Sequence, residues 1–128
     1  MGYYSYVSGT VELKPECVLA VSLEIAAAKQ KSETNRRGMS YFEWHKAESK
    51  LEGATLNPNP SGEERKWYGW DEYIGWQKDK VLSGELCRTG EESGDTELLS
   101  WKDGKVMCGR SVIQWDDGSI TLCHNGNR

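Results

Sequence analysis

The sequence predicts a single α+β domain spanning residues 1–128: one antiparallel sheet with helices packed mainly on one face, in a ferredoxin-like or related arrangement. Three observations carry this. Asp103-Gly104 and Asp117-Gly118 each sit between short apolar or β-branched runs. Such pairs favour tight hairpins, because both central residues must reach positive φ and glycine does so without steric cost. They spell a C-terminal β-meander. Near the N-terminus, residues alternate in character as a strand does, and helical periodicity recurs in the segments between.

Tyr3 to Lys14 reads as the first strand, with Tyr3, Val7, Val11 and Leu13 on the core face and Tyr4, Tyr6, Thr10 and Glu12 on the other. Pro15 suits the first turn of a helix, where its missing N–H would be unpaired anyway. That helix is expected from about Glu16 to about Lys31, with Val18, Val21, Ile25 and Ala28 as its stripe and Leu19, Leu23 and Ala26 widening it. Lys29 to Gly38 is polar and closes as a loop. Ser40-Tyr41-Phe42-Glu43 fits a capping box, opening a helix from Tyr41 to Glu52 that Gly53 ends, with Tyr41, Trp44 and Leu51 buried. A loop or flexible arm at about 54–66 follows, since Pro58 and Pro60 lack donors and restrict the residues before them. Trp70, Tyr73, Ile74, Gln77 and Val81 then fit a helix to about Leu82, although Gly69 and Gly75 weaken it.

Strand character returns over Gly84 to Glu91, Leu98 to Trp101, Val106 to Trp115 and Ile120 to Cys123. Two-residue turns would pair Trp101 with Val106, and Trp115 with Ile120. Parity then places Leu99, Trp101, Val106, Cys108, Val112 and Cys123 on one face, and Leu98, Met107, Ile113, Trp115, Ile120 and Leu122 on the other. Neither face is polar. Either both are covered or a bulge near Gly109-Arg110 flips the register.

Composition narrows the function. A net charge of −4 disfavours broad phosphate-backbone binding, which needs a basic face. The longest apolar run, Cys17 to Val21, is far short of the roughly 20 residues that span a bilayer, and Met1 to Tyr6 has no basic or apolar signal region. A cytoplasmic protein is expected. Cys17, Cys87, Cys108 and Cys123 form no CxxC pair and read as free thiols. Cys87, Cys108, Cys123 and His124 would be a chemically acceptable zinc set, but adjacent Cys123 and His124 point to opposite sheet faces and the usual tight knuckle is missing. No metal or cofactor site is assigned.

Two histidines, His45 and His124, are too few for a nucleophile, base and orienter, and no known catalytic pattern accompanies them. His45 is expected to be solvated or half-buried. Acidic pairs such as Asp71-Glu72, Glu91-Glu92 and Asp116-Asp117 sit where turns and helix starts place them anyway. A hydrolytic or nucleotide-modifying enzyme would need Glu91, Glu92 and Asp95 to face one cleft. No catalytic residue is assigned.

Six Trp and six Tyr against one Phe is the anomaly of composition. Arg65, Trp67, Tyr68, Trp70 and Tyr73, with Lys66 and Trp76, interleave rings and cations. Such rings serve as protein-contact anchors, as stacking platforms for single-stranded nucleic acid, or simply as a roof over the sheet. Arg65, Trp67, Tyr68, Trp70 and Tyr73 are the candidate binding residues.

The opening Met1-Gly2-Tyr3-Tyr4, Val7, Gly9 and Val11, with the closing Gly84-Glu85-Leu86, Gly90-Glu91-Glu92, Gly94-Asp95, Asp103-Gly104-Lys105-Val106, Trp115 and Asp117-Gly118, resemble a group of small uncharacterised proteins of actinobacteria and their phages. The resemblance covers about half the chain. It implies a phage-encoded accessory protein in the host cytoplasm, with no catalytic residues to carry over. Combined with the rings, this favours a small non-catalytic protein that contacts a host or phage protein, such as a host or defence factor that it antagonises. Single-stranded nucleic-acid binding is the alternative, and a small acidic-residue hydrolase the second.

Overall fold

A computed structural model describes residues 2–92, 94–114 and 120–125. The elements are β1 (Ser5–Leu13), α1 (Val18–Thr34), α2 (Tyr41–Glu48), β2 (Lys50–Glu52), β3 (Thr55–Asn57), α3 (Trp70–Gln77), β4 (Val81–Gly90), β5 (Thr96–Lys102), β6 (Lys105–Gln114) and β7 (Ile120–Asn125). Among the described residues the sheet has seven strands in the order β2-β3-β1-β4-β5-β6-β7, and every neighbouring pair is antiparallel. The first six element groups run β-α-β-β-α-β, and their strands lie in the order 2-3-1-4. That is the ferredoxin-like unit, and β5 to β7 extend it as a meander from β4.

The core lies on one face. Val7, Val11 and Leu13 of β1 pack with Leu56, Leu86, Leu99 and Trp101 of the other strands, with Val21 and Ile25 of α1, and with Trp67, Trp70 and Tyr73. Val11 faces Leu56 on one side and Gly84 on the other. A Cβ on Gly84 would lie 2.7 Å from Val11 Cα, so only glycine lets β4 approach here. Asp103 and Gly104 both have positive φ and close the β5–β6 hairpin, which pairs Trp101 with Val106 as the two-residue turn requires. The opposite sheet face leaves Tyr6, Leu82 and Met107 exposed.

Several elements differ from expectation. The capping box at Ser40 and Glu43 forms, but α2 stops at Glu48, four residues before the expected Glu52. Ser49 turns extended, and Leu51 pairs with Leu56 in a hairpin whose turn holds Gly53 at φ 59. The glycine read as a helix stop is a hairpin residue, and β3 occupies the start of the expected 54–66 loop. The rest of that loop is tied down: Asn59 donates its side-chain amide to Val7 O and Glu63 O, and Arg65 exchanges two backbone hydrogen bonds with Ser5.

Val21, Ile25 and Ala28 face inward on α1, whereas Leu19 and Leu23 are exposed, so the apolar stripe is narrower than read. On α2 the buried residues are His45 and Ala47, not Tyr41 and Trp44; His45 is 1 % exposed, where a solvated or half-buried residue was expected. α3 ends at Gln77, and a 3-10 turn over Lys78–Lys80 leads to fully buried Val81, which begins β4 instead of extending the helix to Leu82. The β6–β7 register shifts between Ser111 and Ile113, just beyond the Gly109-Arg110 position expected for a bulge. The Asp117-Gly118 turn, the Trp115–Ile120 pair and the side-chain faces of Val112, Ile113, Leu122, Cys123 and His124 lie outside the described residues.

Candidate binding cleft

The segment before α3 sets the position of every candidate ring. Gly69 caps the helix at φ 79, and a Cβ there would lie 3.1 Å from Phe42 N, so this residue both makes the turn and admits the start of α2. Trp67, two residues before this turn, points inward. It is 4 % exposed, with the Arg65 guanidinium 4.0 Å above its ring and the His45 ring stacked at 4.3 Å. His45 Nε2 donates to Tyr68 O at 2.7 Å; a carbonyl only accepts, so Nε2 carries the proton. Burial, helped by the charge of Arg65, pushes the His45 pKa down to about 4, against the opposing hydrogen bond to Tyr68.

Trp70 and Tyr73 also belong to the core, at 6 % and 0 % exposure. The Ser49 hydroxyl donates to His45 O at 2.6 Å, so it must accept from the Tyr73 hydroxyl at 2.7 Å. Burial raises the Tyr73 pKa, and the phenol stays neutral. Trp70 Nε1 donates to Glu97 Oε1 at 2.9 Å. Three of the five candidate residues are therefore mainly packing residues and not an exposed aromatic surface; Trp67 and Trp70 reach the cleft only as its largely buried walls. Arg65 is partly buried, covering Trp67 and donating to Pro58 O. Tyr68 is the exception: it is 43 % exposed and meets Tyr41, 44 % exposed, edge-on at 5.1 Å.

Tyr68 stands at a cleft of about 680 Å³ between the lead-in to α3 and the ends of β1, β4 and β5. Trp67, Trp70 and Tyr3 line it, as do Asp71 and Glu72 from the first turn of α3, and Arg88, Asp95 and Glu97 from the sheet. The polar wall is a connected network. Arg88 contacts Asp95 Oδ1 at 3.1 Å and Glu97 Oε1 at 3.6 Å, and donates to Ser5 Oγ at 3.2 Å. Tyr3 donates its hydroxyl to Asp95 Oδ2 at 2.5 Å and accepts from Glu92 N; its backbone N–H donates to the Tyr68 hydroxyl at 2.8 Å. The hydrogen bond to Asp95 raises the Tyr3 pKa. Glycine at position 90 makes room for this, because a Cβ there would lie 2.0 Å from Asp95 Oδ2.

Sequence reasoning missed Tyr3, Arg88 and Glu97 as cleft residues. A signal existed: Arg88 and Glu97 sit at inward parity beside Leu86 and Leu99, where an unpaired charge would be costly. Of the acidic trio expected to mark an enzyme, Asp95 lines the cleft, whereas the Glu91 carboxylate accepts from Tyr4 N and neither Glu91 nor Glu92 lines it. Cys87 and Cys108, the described members of the possible zinc set, pair with Leu98 and Leu99 respectively, and so lie on opposite sheet faces. No helix among the described residues is long and apolar enough to cross a membrane. Comparison with family models, curated proteins and solved structures returned no match.

Proposed function

We propose that this chain is a small non-catalytic binding protein that contacts another protein through the tyrosine rim of the cleft. The observation that carries the reading is the pairing of exposed Tyr68 and Tyr41 beside a cleft with buried indole walls. Tyrosine contributes large contact area at low entropy cost, with a hydroxyl to direct it. Trp67 and Trp70 act underneath as the rigid support. The resemblance noted above favours a host or phage protein as the partner, with antagonism of a host factor as its consequence.

The cleft disfavours the nucleic-acid alternative, since Asp71, Glu72, Asp95 and Glu97 would repel phosphates and Arg88 already serves two of them. The test is capture of partner by the full chain and by Tyr68→Ala, with Leu82→Ser on the opposite sheet face as control. Tyr68→Ala is expected to weaken binding of the captured protein at least tenfold, and Leu82→Ser to leave it unchanged. Equal affinity of wild type and Tyr68→Ala would overturn the reading.

A further inference from the structure

We infer that the cleft receives an arginine side chain of the partner; this deepens the contact reading and rests on it. Four carboxylates, Asp71, Glu72, Asp95 and Glu97, line the space, and among the described residues Arg88 is the guanidinium that lines it with them. Arg88 lies within 3.6 Å of both Asp95 and Glu97, so its charge is already committed. Asp71 and Glu72 are exposed, and neither has an ion pair with any described residue. Asp71 and Glu72 therefore bring to the cleft negative charge that no described residue pairs. The amino end of α3 would by itself favour an anion, but those two carboxylates already answer it.

The walls select among cations. Tyr3, Tyr68 and Trp70 put aromatic rings beside the carboxylates. A guanidinium is planar, stacks on rings and binds carboxylates through two parallel N–H groups, whereas an ammonium is a compact, strongly hydrated point charge. The chain itself uses this chemistry: Arg65 lies 4.0 Å over Trp67, and Arg36 lies 4.7 Å over Trp44. Trp67, 4 % exposed, supplies a further cue: it lines the cleft, and its indole N–H has no acceptor among the described residues. A peptide carbonyl entering with the arginine would meet that donor. At about 680 Å³ the cleft has room for the side chain and its adjoining backbone.

The test titrates Nα-acetyl-arginine amide into the full chain and follows the Trp70 indole N–H resonance, with the uncharged citrulline analogue and the lysine analogue in parallel. The arginine compound should shift that resonance saturably and bind at least about tenfold more tightly than citrulline, and more tightly than lysine. The double variant Asp71→Asn/Glu72→Gln should weaken it about tenfold while staying folded, with only the small loss of stability that removing two charges from a helix amino end brings. Equal binding by citrulline, or undiminished binding by the folded double variant, overturns the inference. The pentapeptide amide Gly-Gly-Arg-Gly-Gly should bind more tightly than the amino-acid derivative; equal affinity would assign the cleft to a free small cation and overturn a partner arginine. Absent arginine binding, with partner capture still lost in Tyr68→Ala, overturns this inference alone and leaves the contact reading standing.

Discussion

His45 shows how a polar residue becomes part of a core. Its Nε2 proton is used by Tyr68 O, its ring is stacked on Trp67, and its Nδ1 has no partner among the described residues. The folded state therefore favours the neutral ring, with the pKa lowered from 6.5 to about 4. The unfolded chain binds more protons between those values, so stability falls as pH drops through 6.5 and levels off near 4. At pH 5 this residue should cost about 2 kcal/mol relative to pH 7. Urea unfolding of wild type and His45→Gln at both pH values checks it, with the variant expected to lack that part of the slope. Glu43, whose pKa is lowered chiefly by Lys31, adds its own loss only at lower pH. Trp70→Phe should cost about 1–3 kcal/mol, because the smaller phenyl gives up part of the buried contact and the donor to Glu97. The burial of His45 was not legible in the sequence, where it reads as solvated or half-buried. The ring that covers it comes from position 67, and a local pattern does not contain such a contact.

At the scale of elements, legibility followed the range of the deciding interaction. The Ser40–Glu43 cap, the Asp103-Gly104 turn and the inward parity of β1 are settled within a few residues, and all three stand in the structure. The β2–β3 hairpin was missed because three-residue strands carry too little pattern, and Gly53 suits a helix stop as well as a turn. On α1 the sequence offers nine apolar residues, but only Val21, Ile25 and Ala28 are buried. Leu23→Glu should therefore change stability by less than about 0.5 kcal/mol, whereas Ile25→Ala, at a buried position, should cost about 2–4 kcal/mol. Thermal unfolding of the two variants distinguishes them directly. Ser40→Ala should cost about 1 kcal/mol through loss of the hydrogen bond to Glu43 N.

For the whole molecule, the ferredoxin-like unit explains why the candidate cleft lies where it does. β1 and β4 are neighbours in the sheet, so Tyr3 just before one and Arg88 near the end of the other meet at the same end of the strands, where the first turn of α3 also lines the cleft. The aromatic composition then divides into two roles. Trp67, Trp70 and Tyr73 roof the sheet, while Tyr68 and Tyr41 remain at the surface. Composition alone did not separate these roles, since Trp67 is buried by contacts with His45 and Arg65 that local pattern does not contain. The most direct measurement is hydroxyl-radical footprinting of the chain, free and bound to its captured partner. Tyr68 and Tyr41 should be oxidised readily in the free protein and protected in the complex, with Trp67, Trp70 and Tyr73 protected in both. Rapid labelling of Trp67 or Trp70 in the free protein, or undiminished labelling of Tyr68 in the complex, would contradict the account.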